Sequence, residues 1–268
     1  MIYFVSTPIG NLKDITLRAL ESLKEADYIF CEDTRNTSVL LNNYDIKKKL
    51  ISFHQHNELE RSREIIEWAR EGKNICIVSD AGMPGISDPG SKLICLLIEE
   101  GIDYTVLPGP SAFTTALVYS GLNSEVFKFV GFLAPKGKER KEKLQMIKDE
   151  KNTVILYEAP HKLDKTMEDL MELIPDRTIS VVRELTKIYE EHINFKISDY
   201  PDQDFIKKGE MVLVIGPDES IETPSELAIE DLLKDLIESG MRKSEAAAQV
   251  AEEYGLKKNF VYDISKNL

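Results

Sequence analysis

The segment at residues 75–90 limits the possible folds of this chain more than any other stretch. It begins with four apolar residues, 75–78, which are typical of a buried strand. Three glycines and two prolines then interrupt regular structure until Ser91, where apolar residues take up helical spacing. In an open α/β sheet, ligands bind beyond the carboxyl ends of the strands. The sequence therefore predicts a buried strand, a ligand-binding loop at residues 80–90, and a helix.

The charges of this loop indicate the kind of ligand that it binds. Asp80 and Asp88 are acidic and the loop has no basic residue, so a polyphosphate would be repelled. Its glycines let backbone approach a ligand, and the Asp80 carboxylate can accept hydrogen bonds from ribose hydroxyls or an amine. S-adenosylmethionine fits, because it carries a sulfonium, an ammonium, a carboxylate and a ribose but no phosphate. We expect it as the cofactor, and the alternative is a loop that merely connects strand to helix.

Composition excludes several classes of protein. The chain has 268 residues, of which 42% are hydrophobic, which allows a full core. A net charge of −13 argues against non-specific nucleic-acid binding but permits a local basic face. The three cysteines lie far apart in apolar runs and indicate reduced core residues of a cytoplasmic protein, not a disulfide or zinc framework. Neither an export signal nor a membrane span is indicated.

Two α/β domains and a helical tail are predicted. Strands alternate with helices in residues 1–120, which favours a mainly parallel sheet covered on both faces. In residues 121–218 there are fewer helices per strand, which suggests a second α/β domain with a mixed sheet. A polar linker is predicted at 217–224, and residues 225–268 contain three helical segments separated by Gly240 and Gly255. This tail is either helix-turn-helix-like and able to touch phosphates, or a cap on the second domain or on a partner subunit.

Three loops that follow predicted strands are expected to meet at one cleft, namely residues 7–12, 80–90 and 108–112. The last loop places Ser111 at a helix start, where its hydroxyl and the backbone amides can hold a carboxylate. Tyr157 and Glu158 end a strand of the second domain and, with residues 209–213, are expected to close the other side. The cleft would then take one side from each domain.

Seven motifs, in order along the chain, carry the strongest functional signal. They are STPIGNL at 6–12, EDTR at 32–35, SDAGMP at 79–84, SDPG at 87–90, PGPSA at 108–112, RELTK at 183–187 and KGEMV at 208–212. Together they resemble the ribosomal RNA small subunit methyltransferase I family, within the tetrapyrrole (corrin and porphyrin) methylase superfamily. The resemblance extends over essentially the whole chain, although the tail matches only loosely.

The resemblance implies two α/β domains of the tetrapyrrole methylase type, with S-adenosylmethionine in the cleft between them, and a homodimer. It implies in-line methyl transfer to the 2′-hydroxyl of a cytidine ribose in the decoding region of 16S ribosomal RNA, with the assembled 30S subunit as the expected substrate. By matching motifs, the residues expected around the cofactor are Pro8, Asp80, Gly82, Pro84, Ile86, Ser111, Ala112, Tyr157 and Met211.

The reaction also needs a proton acceptor and contacts to RNA. A ribose hydroxyl is a poor nucleophile, so a nearby carboxylate or lysine is expected to take its proton. The candidates are Asp33, Glu158, Glu184 and Lys187. RNA contacts are expected from Arg35, His54, Asn57 and Arg183, the arginines through bidentate bonds to phosphate and the other two by resemblance alone.

Each charged candidate has a structural alternative. Arg35 could instead neutralise Glu32, and Arg183 could neutralise Glu184, as ion pairs at a domain seam. His54 and His56 would place two imidazoles on one side of a strand, but no third ligand is evident and no metal is expected.

Two other functions compete with RNA methylation. One is methylation of a precorrin-type tetrapyrrole on the same fold, and the other is non-catalytic binding to the ribosome. The seven basic residues against four acidic ones at 135–151, and the helical tail, argue against a small macrocycle as substrate. A dinucleotide-dependent dehydrogenase is not supported, because no Gly-x-Gly-x-x-Gly follows the first strand.

Overall fold

This computed structural model describes residues 1–218, 226–266 and 268. They form two five-stranded sheets with the helices that cover them, followed by a group of C-terminal helices. The predicted linker falls mostly outside the described residues, as does position 225, the first residue of the predicted helical tail. None of the described helices is long and apolar enough to cross a lipid bilayer.

The first sheet is parallel and buried on both faces. Its strands are β1 (Ile2–Val5), β2 (Tyr28–Cys31), β3 (Leu50–Ser52), β4 (Ile75–Val78) and β5 (Tyr104–Leu107), in the order β3-β2-β4-β1-β5. Helices α1 (Leu17–Glu25) and α2 (Thr34–Asn43) pack on one face, and α3 (Glu58–Arg70) and α4 (Ser91–Glu99) on the other. This arrangement explains why β4 is apolar at every position. It confirms the predicted parallel sheet with helices on both faces.

The second sheet is mixed, as predicted. Its strands are β6 (Phe127–Phe132), β7 (Thr153–Glu158), β8 (Thr178–Arg183), β9 (Glu191–Lys196) and β10 (Met211–Ile215), in the order β6-β7-β10-β8-β9. Only the β6–β7 pair of this described sheet is parallel. Helices α6 (Lys138–Asp149) and α7 (Leu163–Leu173) cover one face.

Helix α5 (Ala112–Ser120) connects the two sheets and covers the other face of the second one. Its buried residues Ala116 and Leu117 pack against Ile155, Val182 and Val214 of that sheet. The boundary near residue 120 stays a prediction. The packing of α5 favours a boundary before Ala112, because the helix shares its core with the second sheet.

The C-terminal helices have a core of their own. Helices α8 (Glu226–Glu238), α9 (Lys243–Glu253) and α10 (Lys258–Ser265) enclose a buried cluster that includes Leu233, Ala247 and Val261. Polar contacts with the second sheet region run from Lys151 Nζ to the Glu253 carbonyl at 3.4 Å, and from Lys257 to Glu125 at 4.0 Å. The predicted helical module is therefore present and rests beside β6 and β7.

Candidate active site

A cavity of about 390 Å³ opens between the two sheets. Its walls come from the loops after β1, β4 and β5 on one side and from β7, β8 and β10 on the other. Those three loops, which the sequence predicted to meet at one cleft, adjoin because β4, β1 and β5 are neighbours in the first sheet. The described side chains that line the cavity include four acids and no base; these acids are Asp80, Asp88, Glu158 and Glu210. Such a lining favours a cationic ligand and disfavours a phosphate.

The loop after β1 and the loop after β4 are held together by hydrogen bonds. The Thr7 amide donates to the Gly82 carbonyl at 2.9 Å, and the Gly82 amide donates back to Thr7 at 3.0 Å. The Ser79 hydroxyl also donates to the Gly82 carbonyl, at 2.9 Å. Gly82 has φ of +86°, a backbone conformation that residues with a Cβ rarely adopt. The entrance to the loop at 80–90 is therefore rigid before any ligand binds.

Asp80 connects this loop to the start of α2. Its carboxylate accepts hydrogen bonds from the Asp33 amide at 3.0 Å and from Asn36 Nδ2 at 2.8 Å. Both donors are neutral, so the negative charge of Asp80 faces the cavity without a countercharge from either of them.

Asp33 and Arg35 form a pair at the rim. Arg35 donates to the Asp33 carboxylate through Nε at 3.0 Å and Nη2 at 2.5 Å. These bonds lower the pKa of Asp33 to about 2, which leaves it a weak proton acceptor. The Arg35 side chain is 87% exposed. The alternative considered from the sequence, a pair of Arg35 with Glu32, is wrong, because Arg35 pairs with Asp33.

Glu158 lines the cavity, but it is buried and already bound. The Thr166 hydroxyl donates to it at 2.5 Å, and the Ala159 amide donates at 2.8 Å. Thr166 in turn accepts a bond from Arg140 Nη2 at 3.1 Å. This network holds the end of β7 in place next to Met211, its antiparallel partner on β10.

Glu184 and Lys187 lie together outside the cavity lining. Lys187 Nζ contacts Glu184 at 3.0 Å and Glu210 at 2.9 Å, and the Glu210 amide donates to Glu184 at 3.0 Å. Burial opposes charge on Lys187, but the bonds to Glu210 and Glu184 outweigh it and raise the lysine pKa. Burial also opposes charge on Glu184, whose pKa is nevertheless lowered, mainly by Lys187. A protonated lysine cannot accept a proton, and the carboxylate of Glu184 is occupied.

Two of the other predicted RNA contacts, Arg183 and Asn57, have structural partners, whereas the buried Nδ1 of His54 has no hydrogen-bond partner among the described residues. Arg183 is buried and pairs with Glu191 at 2.6 Å, so the alternative pair with Glu184 is also wrong. Asn57 Oδ1 accepts from the His54 amide at 2.8 Å and its Nδ2 donates to the Ser52 carbonyl at 3.1 Å, which fixes the turn before α3. No group of three His, Cys, Asp or Glu side chains within the described ranges stands close enough to hold a metal.

Asp88 was not ranked as a site residue by sequence reasoning, yet it is the unpartnered carboxylate of the cavity. It is half-buried, and no hydrogen bond or ion pair reaches it from the residues that the structure describes. Burial raises its pKa to about 7, with further contributions from the charges of Glu32 and Asp80. The preceding residue, Ser87, has φ of +64°, in the left-handed region where a non-glycine residue is strained.

Most of the predicted cofactor residues line the cavity. Within the described lining these are Asp80, Gly82, Ile86, Ser111, Ala112, Tyr157 and Met211. Pro8 and Pro84 are buried within their loops and lie outside the lining. Their roles stay predictions. The other lining residues are of two kinds. Those inside the segments predicted to form the cleft, but not named as cofactor residues, are Ile9, Ala81, Met83, Ser87, Asp88, Glu210 and Val212. Those outside these segments are Phe132, Ala159, Val182 and Leu185.

The back of the cleft is closed by direct contact between its two sides. The Asn11 amide donates to Thr186 Oγ1 at 2.9 Å. A Cβ on Gly10 would lie 2.7 Å from the Leu185 carbonyl and from Lys187 Cγ, so only glycine fits there. The loop after β1 therefore packs directly against residues 185–187 of the second side.

Comparison with known proteins agrees with this geometry. The model of the family described as Tetrapyrrole (Corrin/Porphyrin) Methylases matches residues 1–201. The chain belongs to this family. Proteins named ribosomal RNA small subunit methyltransferase I are similar to it along nearly their whole length. The one from Halalkalibacterium halodurans is 43% identical and the one from Bacillus subtilis 41%, each over 98% of this chain and 93% of the relative.

A solved member of the same fold was crystallised with a cofactor product. This structure, uroporphyrin-III C-methyl transferase from Thermus thermophilus complexed with S-adenyl homocysteine, superposes with a TM-score of 0.56. The match covers 80% of this chain and 96% of that one at 17% sequence identity. At that identity the likeness establishes the tetrapyrrole methylase fold and nothing finer.

Proposed function

We propose that this protein transfers the methyl group of S-adenosylmethionine to the 2′-hydroxyl of a cytidine in the decoding region of 16S ribosomal RNA. The observation that carries the proposal is the cavity between the sheets, whose described charged lining is entirely acidic. A sulfonium and an ammonium suit such a lining, whereas a nucleotide phosphate does not. The RNA substrate is supported by the printed names of the relatives that match 98% of the chain.

The residues that line the cavity fit S-adenosylmethionine. Asp80 offers a carboxylate to ribose hydroxyls or to the ammonium. Ser111 precedes the first residue of α5, and its hydroxyl makes no capping bond to that helix, so the hydroxyl and the helix amides are free to hold a carboxylate. Tyr157, Met211 and Ile86 supply apolar surface for the adenine. When bound, the cofactor supplies an electrophilic methyl group.

The chain contributes orientation and electrostatics. The rigid loops after β1 and β4 would hold the methyl carbon in line with the attacking ribose oxygen. This alignment accounts for most of the rate enhancement of such a displacement. We assign Arg35 to a phosphate of the RNA, because its side chain is exposed at the rim. His54 and Asn57 are proposed to lie beside the RNA path, and buried Arg183 is assigned a structural part.

A homodimer is part of the proposal. Val118 on α5 and Ile188 and Tyr189 in the following domain expose 78%, 94% and 72% of their surface. The Val118 face of α5 and the segment that begins at Leu185 share a shallow depression. A second copy of the chain that covered these side chains would bury apolar surface favourably.

The cytoplasm is the proposed site of the reaction, with the assembled 30S subunit as the substrate. The thiols of Cys31, Cys76 and Cys95 are free, which fits a reducing compartment. Cys31 and Cys76 are buried as expected, but Cys95 is exposed, so its prediction as a core residue is wrong. A protein of net charge −13 has little non-specific affinity for naked RNA, so recognition of an assembled surface is the better match.

The test is transfer of labelled methyl groups to 30S subunits that lack the modification, with naked 16S RNA as a parallel substrate and a reduced tetrapyrrole as a third. The expected result is label on one cytidine 2′-oxygen of the decoding region, with more label on subunits than on naked RNA. Label on the tetrapyrrole alone would establish the competing function. Tight cofactor binding without label on any acceptor would support a non-catalytic role.

A further inference from the structure

Asp88 lines the cavity and accepts no hydrogen bond from the described residues, unlike the other acids in the described lining. We propose that Asp88 accepts the proton of the ribose 2′-hydroxyl during methyl transfer. The inference rests on the proposed function and assigns the proton acceptor within that same site.

The carboxylates and the lysine considered from the sequence are all engaged. Asp33 is bound by Arg35, Glu158 by Thr166, and Glu184 by Lys187. Asp33, Glu184 and Lys187 also stand outside the described lining of the cavity. A proton acceptor must lie within hydrogen-bond reach of the hydroxyl and have a free lone pair. Among the acids in the described lining, Asp80, Glu158 and Glu210 already accept hydrogen bonds from Asn36, Thr166 and Lys187, respectively. Asp88 accepts none from the described residues.

The backbone around Asp88 presents it to the cavity in a fixed position. The Gly85 amide donates to the Pro89 carbonyl at 3.1 Å, which closes a tight turn over residues 86–88. Those residues all line the cavity. The Gly90 amide donates to the buried carboxylate of Glu58 at 2.9 Å, so the base of the turn is tied to α3. A turn fixed at both ends, with a strained residue at its centre, is the kind of support that a reacting group requires.

The groups that face Asp88 suit a proton acceptor near neutral pH. Glu32 follows β2 and Asp80 follows β4, and both oppose its ionisation. Tyr157 on β7 also senses its charge; burial first, and then Asp88, raise the tyrosine pKa to about 12, so its hydroxyl stays protonated. A carboxyl group whose pKa lies near 7 is a far stronger base than an ordinary aspartate. The cationic ligand would favour the ionised form.

The 2′-O–H bond breaks and its proton moves to an Asp88 carboxylate oxygen while the 2′-oxygen forms a bond to the methyl carbon. The carbon–sulfur bond breaks and its electron pair remains on sulfur, which becomes a neutral thioether. The products are a 2′-O-methyl ribose and protonated Asp88, and the proton then passes to water.

The test compares the wild type with Asp88→Asn, Asp88→Glu and Asp103→Asn, a control that makes the same change at an exposed aspartate. Single-turnover methyl transfer to 30S subunits is measured from pH 5.5 to 9, and affinity for S-adenosylmethionine is measured separately by calorimetry. We expect Asp88→Asn to slow transfer about 100-fold or more at pH 8 with the cofactor affinity changed less than about threefold. The wild-type rate should rise with pH as Asp88 ionises, with a midpoint at or below about pH 7. This rise should be absent in Asp88→Asn. Asp88→Glu should recover part of the rate.

Two outcomes would overturn the assignment. If Asp88→Asn retains the wild-type rate and pH profile, another group takes the proton. If cofactor affinity falls in parallel with the rate, Asp88 is a cofactor ligand instead. Failure of the proposed function looks different, because the wild type itself would then bind cofactor without labelling any cytidine 2′-oxygen.

Discussion

The two sides of the cleft differ in how most of their acidic side chains are paired. On the side of the parallel sheet, Asp80 is held only by neutral donors and Asp88 has no partner among the described residues. On the side of the mixed sheet, Lys187 pairs with both Glu184 and Glu210, and Arg183 pairs with Glu191. The carboxylates of Asp80 and Asp88 therefore lack a bonded cation, whereas those of Glu184, Glu210 and Glu191 each contact one. Glu158, also on the second side, is held by the neutral donors Thr166 and Ala159. We infer that the first side carries the chemistry and the second holds the cleft in shape.

The paired charges of the second side stabilise an unusual backbone. Glu184 and Thr186 have φ of +50° and +65°, which are strained values for residues with side chains. The Glu184 carboxylate is held by Lys187, and the Thr186 amide donates to Glu190 at 2.5 Å. These bonds keep residues 184–187 in the shape that receives Gly10 and Asn11 from the first side.

The largest effect on cofactor affinity is expected from Asp80→Ala on the first side. The change removes the acceptor of the Asp33 and Asn36 donors and a negative charge from the cavity wall. Hydrogen bonds to charged groups are worth about 1.5–3 kcal/mol, so affinity for S-adenosylmethionine should fall about 10-fold to 100-fold. Calorimetric titration measures this, with Asp103→Ala at an exposed position as control. Unchanged affinity would show that the unneutralised charge of the first side does not serve ligand binding.

A smaller effect, of a different kind, is expected from Lys187→Met on the second side. The lysine and Glu184 are 31% and 19% exposed, so their bond is only partly screened by water. Its loss should lower the free energy of unfolding by about 1–2 kcal/mol, measured by urea denaturation. Cofactor affinity and single-turnover rate should change less than about threefold, because Lys187 accepts no proton in the reaction.

The matched control for that change is Lys234→Met on α8. Lys234 contacts Asp231 one turn away at 3.4 Å, and both side chains are well exposed. Its removal should alter the free energy of unfolding by less than about 0.5 kcal/mol. A hundredfold loss of turnover in Lys187→Met without loss of stability would mean that the second side takes part in the chemistry after all.

The first side of the cleft was easier to predict from sequence than the second, because its loop is contiguous whereas the contacts of the second side join residues far apart in the chain. The loop at 80–90 is contiguous in sequence, and its glycines, prolines and acids identify it directly. Helices α3 and α7 were predictable because their apolar residues repeat at helical spacing. Glu210, which bonds to Lys187, is 23 residues away in the sequence. The two residues come together because β10 pairs with β8, which the sequence does not reveal.

Two local features could not be ranked from sequence. Asp14 and Thr16 are both residue types that cap helices, and the sequence alone does not decide between them. Residues Leu12–Asp14 form a 3-10 turn, and Thr16 caps α1 by accepting from the Ala19 amide at 3.1 Å. Asp88 was likewise visible as an acid, but its burial and lack of a partner are tertiary properties that no local pattern encodes.

The smallest effect is expected from Asp88→Asn on the stability of the ligand-free protein, and its sign is opposite to that of Lys187→Met. Because the pKa of Asp88 is raised from its usual 3.8 to about 7, the folded state keeps a proton that the unfolded state has released between those pH values. Wild-type stability therefore falls as pH rises from about 4 to 7, and the full cost remains above pH 7. Asparagine does not ionise and avoids this cost.

Thermal unfolding of the wild type and Asp88→Asn at pH 5, 6, 7 and 8 tests this directly. The melting temperature of Asp88→Asn should exceed that of the wild type by about 2–4 °C at pH 8, the shift that about 1 kcal/mol produces in a protein of this size. We expect no more than this because Asp88 is only half-buried and water screens most of the cost of its charge. The difference should shrink steadily toward pH 5, where Asp88 is protonated in the folded wild type. A difference that is constant with pH, or a less stable variant at pH 8, would mean that Asp88 is ionised at no cost and that its charge has a partner. In that case the two sides of the cleft would not differ in the way their charges are held.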